Sequence, residues 1–110
     1  MNISEQRTLA LHRALARHLD AEALTVWTPQ ILANIDRLRG SVQGRPHEQN
    51  LKRWQELVKA GAVNALRTIL TGEDRDCIEM REVSPLSGLI DQDERNEALR
   101  VASRTITEES

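Results

Sequence analysis

The sequence predicts an all-α fold, a compact bundle of five or six short helices in a single domain spanning 1–110. Three observations carry that prediction. The apolar fraction of 39% comes almost wholly from Leu, Ile, Val and Ala, with no Phe or Tyr and only Trp27 and Trp54 as aromatics. A sheet of this size would normally draw on aromatic and β-branched residues instead. Apolar residues recur every three or four positions through most of the chain, the period of one helix face. A chain of 110 residues is also long enough for one core and too short for two.

The first helix is expected over about 5–19. Ser4 is placed to cap it, Glu5 to complement the dipole, and Leu11, Leu15 and Leu19 to form its stripe. Asp20 caps a further turn through Leu24, and Thr28-Pro29 reads as an N-cap followed by proline at the first helical position. Ile31, Leu32, Ile35, Leu38 and Val42 continue at helical spacing. Residues 21–38 are therefore either one helix kinked at Pro29 or two helices, since proline disrupts the preceding turn without always ending it.

Gly40, Gly44 and Pro46 mark a polar connection. A helix over about 47–60 carries Leu51, Trp54, Leu57 and Val58, and Gly61 is placed to end it in the left-handed conformation. Residues 62–70 form the next helix, with Gly72 expected to close it in the same way, and 74–81 form a short one carrying Cys77, Ile78 and Met80. The stretch 80–95 writes the most specific backbone path in the chain. Ser84-Pro85 reads as an N-cap and first helical position, Gly88 permits the exit, and 84–88 is expected to make about one helical turn anchored by Leu86, Leu89 and Ile90. Asp91 and Glu94 pair as a cap for the final helix, whose Ala98, Leu99 and Ala102 face inward, and the polar tail from about Thr105 is expected to fray.

Charge is unevenly laid out along a chain whose formal net charge is -2. Over 36–59 six basic residues (Arg37, Arg39, Arg45, Lys52, Arg53, Lys59) face three acids, a balance of +3; from Glu73 onward eleven acids face five arginines, a balance of -6. Solvated helix faces account for such a layout, as does an acidic end meeting a basic partner or a basic middle meeting phosphates. Cys77 is the only cysteine, which excludes an intramolecular disulfide and a cysteine-based zinc site. Nothing resembles a signal peptide, and no run approaches the roughly 18 apolar residues of a membrane span, so no membrane partner and a cytoplasmic location are expected.

Candidate chemistry is sparse. His18 and Glu22 are four apart and would offer a metal two ligands from one face, too few for a site, so no metal and no cofactor are expected. Cys77, beside Ile78 on an apolar face with no base nearby in sequence, reads as a small core residue. His47 lies in the polar connection and reads as a surface or capping residue. A helix-turn-helix over 51–70 would place Leu57 where a small residue is needed and leave only Arg67 as a cation on the second helix.

Two Arg-x4-His spacings, Arg7 to His12 and Arg13 to His18, resemble the motif of the helical HEPN ribonucleases, in which Arg and His act on the scissile phosphate from a late helix across a dimer. Here both lie in the first helix. Five residues turn through roughly 500° and leave each pair about 140° apart, so solvated helix-face positions are expected. A second resemblance rests on Leu11-His12-Arg13-Ala14, Trp54 and the run Arg81-x-x-Ser84-Pro85-x-x-Gly88-Leu89-Ile90 with Glu94-Arg95. These look like a pattern in small uncharacterised bacterial helical proteins with an LHRA-type start and an RxxSPxxG…ER-type end. Leu86 and Asn96 depart from that pattern, which implies no activity.

The functional expectation is a non-enzymatic bacterial protein-interaction or regulatory protein, of an antitoxin-like kind. It would bind a protein partner through its acidic C-terminal third, with Arg81, Leu86, Leu89, Ile90 and Arg95 as contact residues. Packing alone accounts for the same residues if Arg81 or Arg95 holds a carbonyl or carboxylate. The alternative is a nucleic-acid-binding regulator using Arg37, Arg39, Arg45, Lys52 and Arg53. A homodimer is also expected, because short helices without Phe or Tyr gain stability by burying aliphatic surface across a twofold.

Overall fold

A computed structural model describes the backbone of residues 1–109 and the side chains of residues 1–105. Six helices follow one another: α1 (Ile3–His18), α2 (Ala21–Arg39), α3 (Arg45–Lys59), α4 (Val63–Thr71), α5 (Arg75–Glu82) and α6 (Gln92–Glu109). The described residues contain no strand, and the Cα radius of gyration of 13.7 Å is close to the roughly 13 Å of a compact domain this long. One core gathers Leu15 from α1 and Leu19 just after it, Ile31 and Ile35 from α2, Trp54 from α3 and Leu70 from α4, and continues into Met80, Val83 and Leu86. The helix α6 stands outside that cluster and lies on α1 through the buried Ala98 and Ala102.

Local chemistry explains most boundaries, and several differ from expectation. The N-cap of α1 is Asn2, whose side chain accepts from the Glu5 amide at 2.7 Å while the Glu5 carboxylate accepts from the Asn2 amide at 2.9 Å. This reciprocal box starts the helix before Ser4 can cap it. Residues 21–39 are one helix with Pro29 inside and Asp20 as its cap. Thr28 is therefore not a cap; its hydroxyl donates to the Leu24 carbonyl at 2.6 Å. Leu24, Ile31 and Ile35 form one buried stripe across the proline, and their burial outweighs a local cost of about 3 kcal/mol.

Gly61 ends α3 as expected. It has φ 64°, the Ala62 amide reaches the Leu57 carbonyl at 3.0 Å, and the Gly61 amide reaches Val58 at 3.1 Å, which is the Schellman pattern. Gly72 does not repeat it: with φ -71° and ψ 149° its backbone is extended. The glycine is needed for space, because a Cβ there would lie 2.5 Å from Cys77 Sγ and 2.9 Å from the Thr68 carbonyl oxygen. Residues 84–88 form no helical turn. Positions 84–86 are irregular and 87–88 make a tight turn, with Gly88 at φ 81°. Asp91 caps α6 through the Glu94 amide at 2.8 Å, and α6 continues to Glu109, past the expected boundary near Thr105.

Helix C-termini have carbonyls open to further donors, and at three helix ends side chains from other helices reach them. Arg67 donates to Leu19 at the end of α1 at 2.7 Å, Arg81 to Ile69 in the last turn of α4 at 2.7 Å, and Trp54 Nε1 to Met80 in the last turn of α5 at 2.8 Å. These bonds fix how the short helices meet, since each requires two elements in one relative position.

Candidate functional site

The turn at 84–90 is held from inside the molecule. Asn34, 1% exposed, donates from Nδ2 to the Pro85 carbonyl at 2.9 Å and to Ser87 at 3.1 Å, and its Oδ1 accepts from Gln30 Nε2 at 3.0 Å. The chain's own amides would otherwise have to satisfy those carbonyls, so capture by Asn34 accounts for the missing helical turn. His12 holds the entrance. Its Nδ1 lies 2.7 Å from the Thr8 carbonyl, which can only accept, so Nδ1 carries the proton and Nε2 accepts from the Ser84 hydroxyl at 2.7 Å. Burial is the main cause that pulls the His12 pKa down to about 4, with the Arg81 charge acting in the same direction.

Arg81 is 3% exposed and bonded to the α4 terminus, where the helix dipole offers negative potential to a cation. Leu86 is buried in the core cluster, and Leu89 and Ile90 are half-buried against it. Of the five residues expected to meet a partner, Arg81 and Leu86 are thus interior and present no surface; Arg95 is exposed. Asn34 has no place in the sequence reading, and His12, expected on a solvated helix face, is buried instead. Each is a polar residue within an apolar helical stripe, between Ile31 and Ile35 or between Leu9 and Leu15, and that placement is the signal that could have found them.

Part of the acidic end is engaged in ion pairs, Glu73, Asp76 and Glu94 with residues from elsewhere in the fold and Glu79, Glu82 and Glu97 with arginines of the same stretch. Asp76 and Arg53 form a two-bonded pair at 2.8 and 2.9 Å, and these bonds are the main reason the Asp76 carboxyl titrates below its ordinary range. Arg75 lies 3.2 Å from Glu5 and from Glu79, and 3.8 Å from Glu82. Glu94 meets His18 at 2.8 Å and Arg17 at 3.7 Å, Glu73 meets Arg13 at 3.7 Å, and Glu97 pairs with Arg100. The basic middle is broken up too. Arg53 is committed to Asp76, Arg39 pairs with Asp36 at 3.2 Å, and the groove that Arg39 and Lys52 share also carries Glu48 and Glu56. Arg37 and Arg45 are exposed.

Neither Arg-x4-His spacing makes a site. His12 is buried on Ser84 while Arg7 is exposed, and Arg13 and His18 are each paired with different acids. Cys77 is buried, its Sγ is 3.5 Å from the Thr68 carbonyl, and burial is the main cause that pushes the thiol up to about 11. Among the described residues no group of three or more His, Cys, Asp or Glu could hold a metal ion, and no helix is long and apolar enough to cross a membrane.

An apolar groove lies between α1 and α6. It measures about 450 Å³ and has Leu9 and Ala10 on one wall and Ala98, Val101 and Ala102 on the other. Arg13 and Arg17 rim the α1 side; Glu97 rims the α6 side. Met1 and Val101 line it at 47% and 46% exposure, and Ile3, 56% exposed, shares the face because it precedes Ala10 by seven residues, about 20° from two full turns. Among the described residues, two of the four exposed large hydrophobics line this groove and a third, Ile3, lies at its α1 edge; the fourth, Val26, is on α2. No family model, curated protein or solved structure matches the chain.

Proposed function

We propose that this is a non-enzymatic interaction protein that engages a protein partner through its C-terminal third, at the face where α6 runs beside α1. The observation that carries the reading is that the exposed Met1 and Val101 line an open groove with an alanine-rich floor, with the exposed Ile3 on the same helix as one wall. Exposed apolar surface is costly to leave in water, and when it is contiguous and rimmed by charge it marks a contact face. The face differs from the 84–90 turn, whose apolar residues are spent on the core. The mixed rim of arginine and glutamate suits a protein surface better than a phosphate backbone, which would call for cations alone.

A photo-reactive phenylalanine analogue in place of Val101, with the same analogue in place of Val26 as control, tests this in intact cells. A discrete protein adduct at position 101 with none at position 26 supports the contact face. Absence of any adduct at position 101, or equal adducts at both, removes it.

A further inference from the structure

We infer that the partner at the α1–α6 groove is a second copy of this chain, packed about a twofold axis running along the groove; the inference rests on the groove being the contact face. α1 and α6 are antiparallel. Arg17 and His18, at the end of α1, meet Glu94 in the first turn of α6, while Met1 and Gln6 line the groove together with Thr105. A flat helix pair can face its own copy about either of two axes lying in the plane of contact. An axis across the groove sets α1 on α1, so that Arg13 and Arg17 meet their own images, and sets Glu97 toward its own image. An axis along the groove sets α1 on the second copy's α6 and leaves every residue at its level along the helices.

Charge selects the second arrangement. Since Arg17 is level with Glu94 within the chain, antiparallel registry puts Glu97, one turn further along α6, between the levels of Arg13 and Arg17. Each copy's two guanidiniums then bracket the other copy's Glu97. Arg104, two turns beyond Glu97, comes level with Gln6 and Arg7, of which Gln6 is the one lining the groove. The existing partners are exposed surface pairs: the Arg13–Glu73 and Arg17–Glu94 contacts are long, at 3.7 Å, with both arginines more than half exposed, and Glu97 shares its carboxylate with Arg100 on its own helix, both more than half exposed, so these pairs hold their geometry weakly. Ala10, Ala98 and Ala102 let the helices approach closely, and Val101, Ile3 and Met1 of each copy cover the other's groove.

Sedimentation equilibrium of the purified protein across micromolar concentrations, with charge-swapped variants, tests the arrangement. Wild type is expected to reach twice the chain mass. Arg13→Glu with Arg17→Glu in one chain, and Glu97→Arg in another, should each weaken self-association by about tenfold or more, because like charges then oppose across the twofold. Mixing the two variants should restore a dimer, since each reversed wall meets its complement, and that rescue also shows both variants to be folded. Val101→Asp should give a monomer with an unchanged helical circular dichroism spectrum. A wild type that stays monomeric, or a dimer indifferent to the charge variants and to Val101→Asp, overturns the inference. If Val101 nevertheless crosslinks to a different protein, the contact face stands and only the identity of its partner changes; with no crosslink both fail.

Discussion

Replacing Asn34 with leucine keeps the branched shape of the side chain and removes the two hydrogen bonds that hold the 84–90 turn. The Pro85 carbonyl is left in a buried site without a donor, at a cost of about 1–3 kcal/mol. Ser87 itself is exposed and its carbonyl only partly buried, so water recovers much of the second loss. Leucine gains a few tenths of a kcal/mol over asparagine in helix propensity, and no cavity opens. The net expectation is a loss of about 2 kcal/mol, a large share of the 5–15 kcal/mol typical of a domain, and a fall in Tm of about 8–16 °C. Urea denaturation gives the free energy. Backbone chemical shifts then separate a released turn from general weakening: shift changes in the variant should concentrate at residues 84–90 and be small at Leu51 and Trp54. A midpoint equivalent to less than about 0.5 kcal/mol of loss, or shift changes spread evenly through the core, would falsify the assignment of Asn34 as the clamp.

His12 makes stability pH-dependent. Burial lowers its folded-state pKa to about 4, below the unfolded value of about 6.5, so the stabilisation is complete above about pH 6.5 and is lost as pH falls toward 4. The loss over that window is about 3 kcal/mol, and between pH 6.5 and 5 it is not mixed with Glu5 or Asp76, whose carboxyls already titrate below their ordinary range. Urea midpoints for His12→Gln should vary much less over pH 5–6.5 than those of wild type; equal slopes would remove His12 as the cause. Gly72→Ala should cost more than Gly61→Ala, about 2–3 kcal/mol against about 1 kcal/mol, because the first meets a backbone oxygen and the second meets only its own positive φ. Adding Cys77→Ala should recover part of the first loss, and a result in the opposite order would contradict the packing described at Gly72. In mobility-shift assays the chain should give no band with duplex or single-stranded nucleic acid at 150 mM salt, an ionic strength at which modest phosphate contacts are already weakened. A shift that disappears in Arg37→Ala with Arg45→Ala would move the function to the basic end.

Features set by neighbours in sequence were legible in it, and features set by distant residues were not. The all-helical class, the Gly61 ending, the Asp91 cap and the burial of Cys77 follow from residues a few positions apart. Ser84-Pro85 has the local form of a helix start, yet the Ser84 hydroxyl is bound by His12, 72 positions away, and the Pro85 carbonyl by Asn34, 51 positions away. Pro29 has the local form of a helix start as well, and it lies inside α2 because Leu24 and Ile31 bury one face together. The packed-turn reading has Arg81 holding a carbonyl, and the acceptor it finds, Ile69, belongs to a different helix end. The α1–α6 groove had no sequence signature at all. Val101 and Ile3 become one surface only once α6 is laid antiparallel on α1, and nothing within either helix specifies that choice.

Methyl NMR at increasing protein concentration, with a soluble paramagnetic agent reporting exposure, tests most directly whether contact is made at the α1–α6 face. At low concentration the methyls of Val101, Ile3 and Val26 should be strongly broadened, and those of Ile31, Ile35 and Leu86 protected. As concentration rises, Val101 and Ile3 should become protected while Val26, Leu89 and Ile90 keep their initial exposure. Protection appearing instead at Leu89 and Ile90, or at Val26, with Val101 still broadened, would contradict the account and return the contact site to the 84–90 turn or to α2.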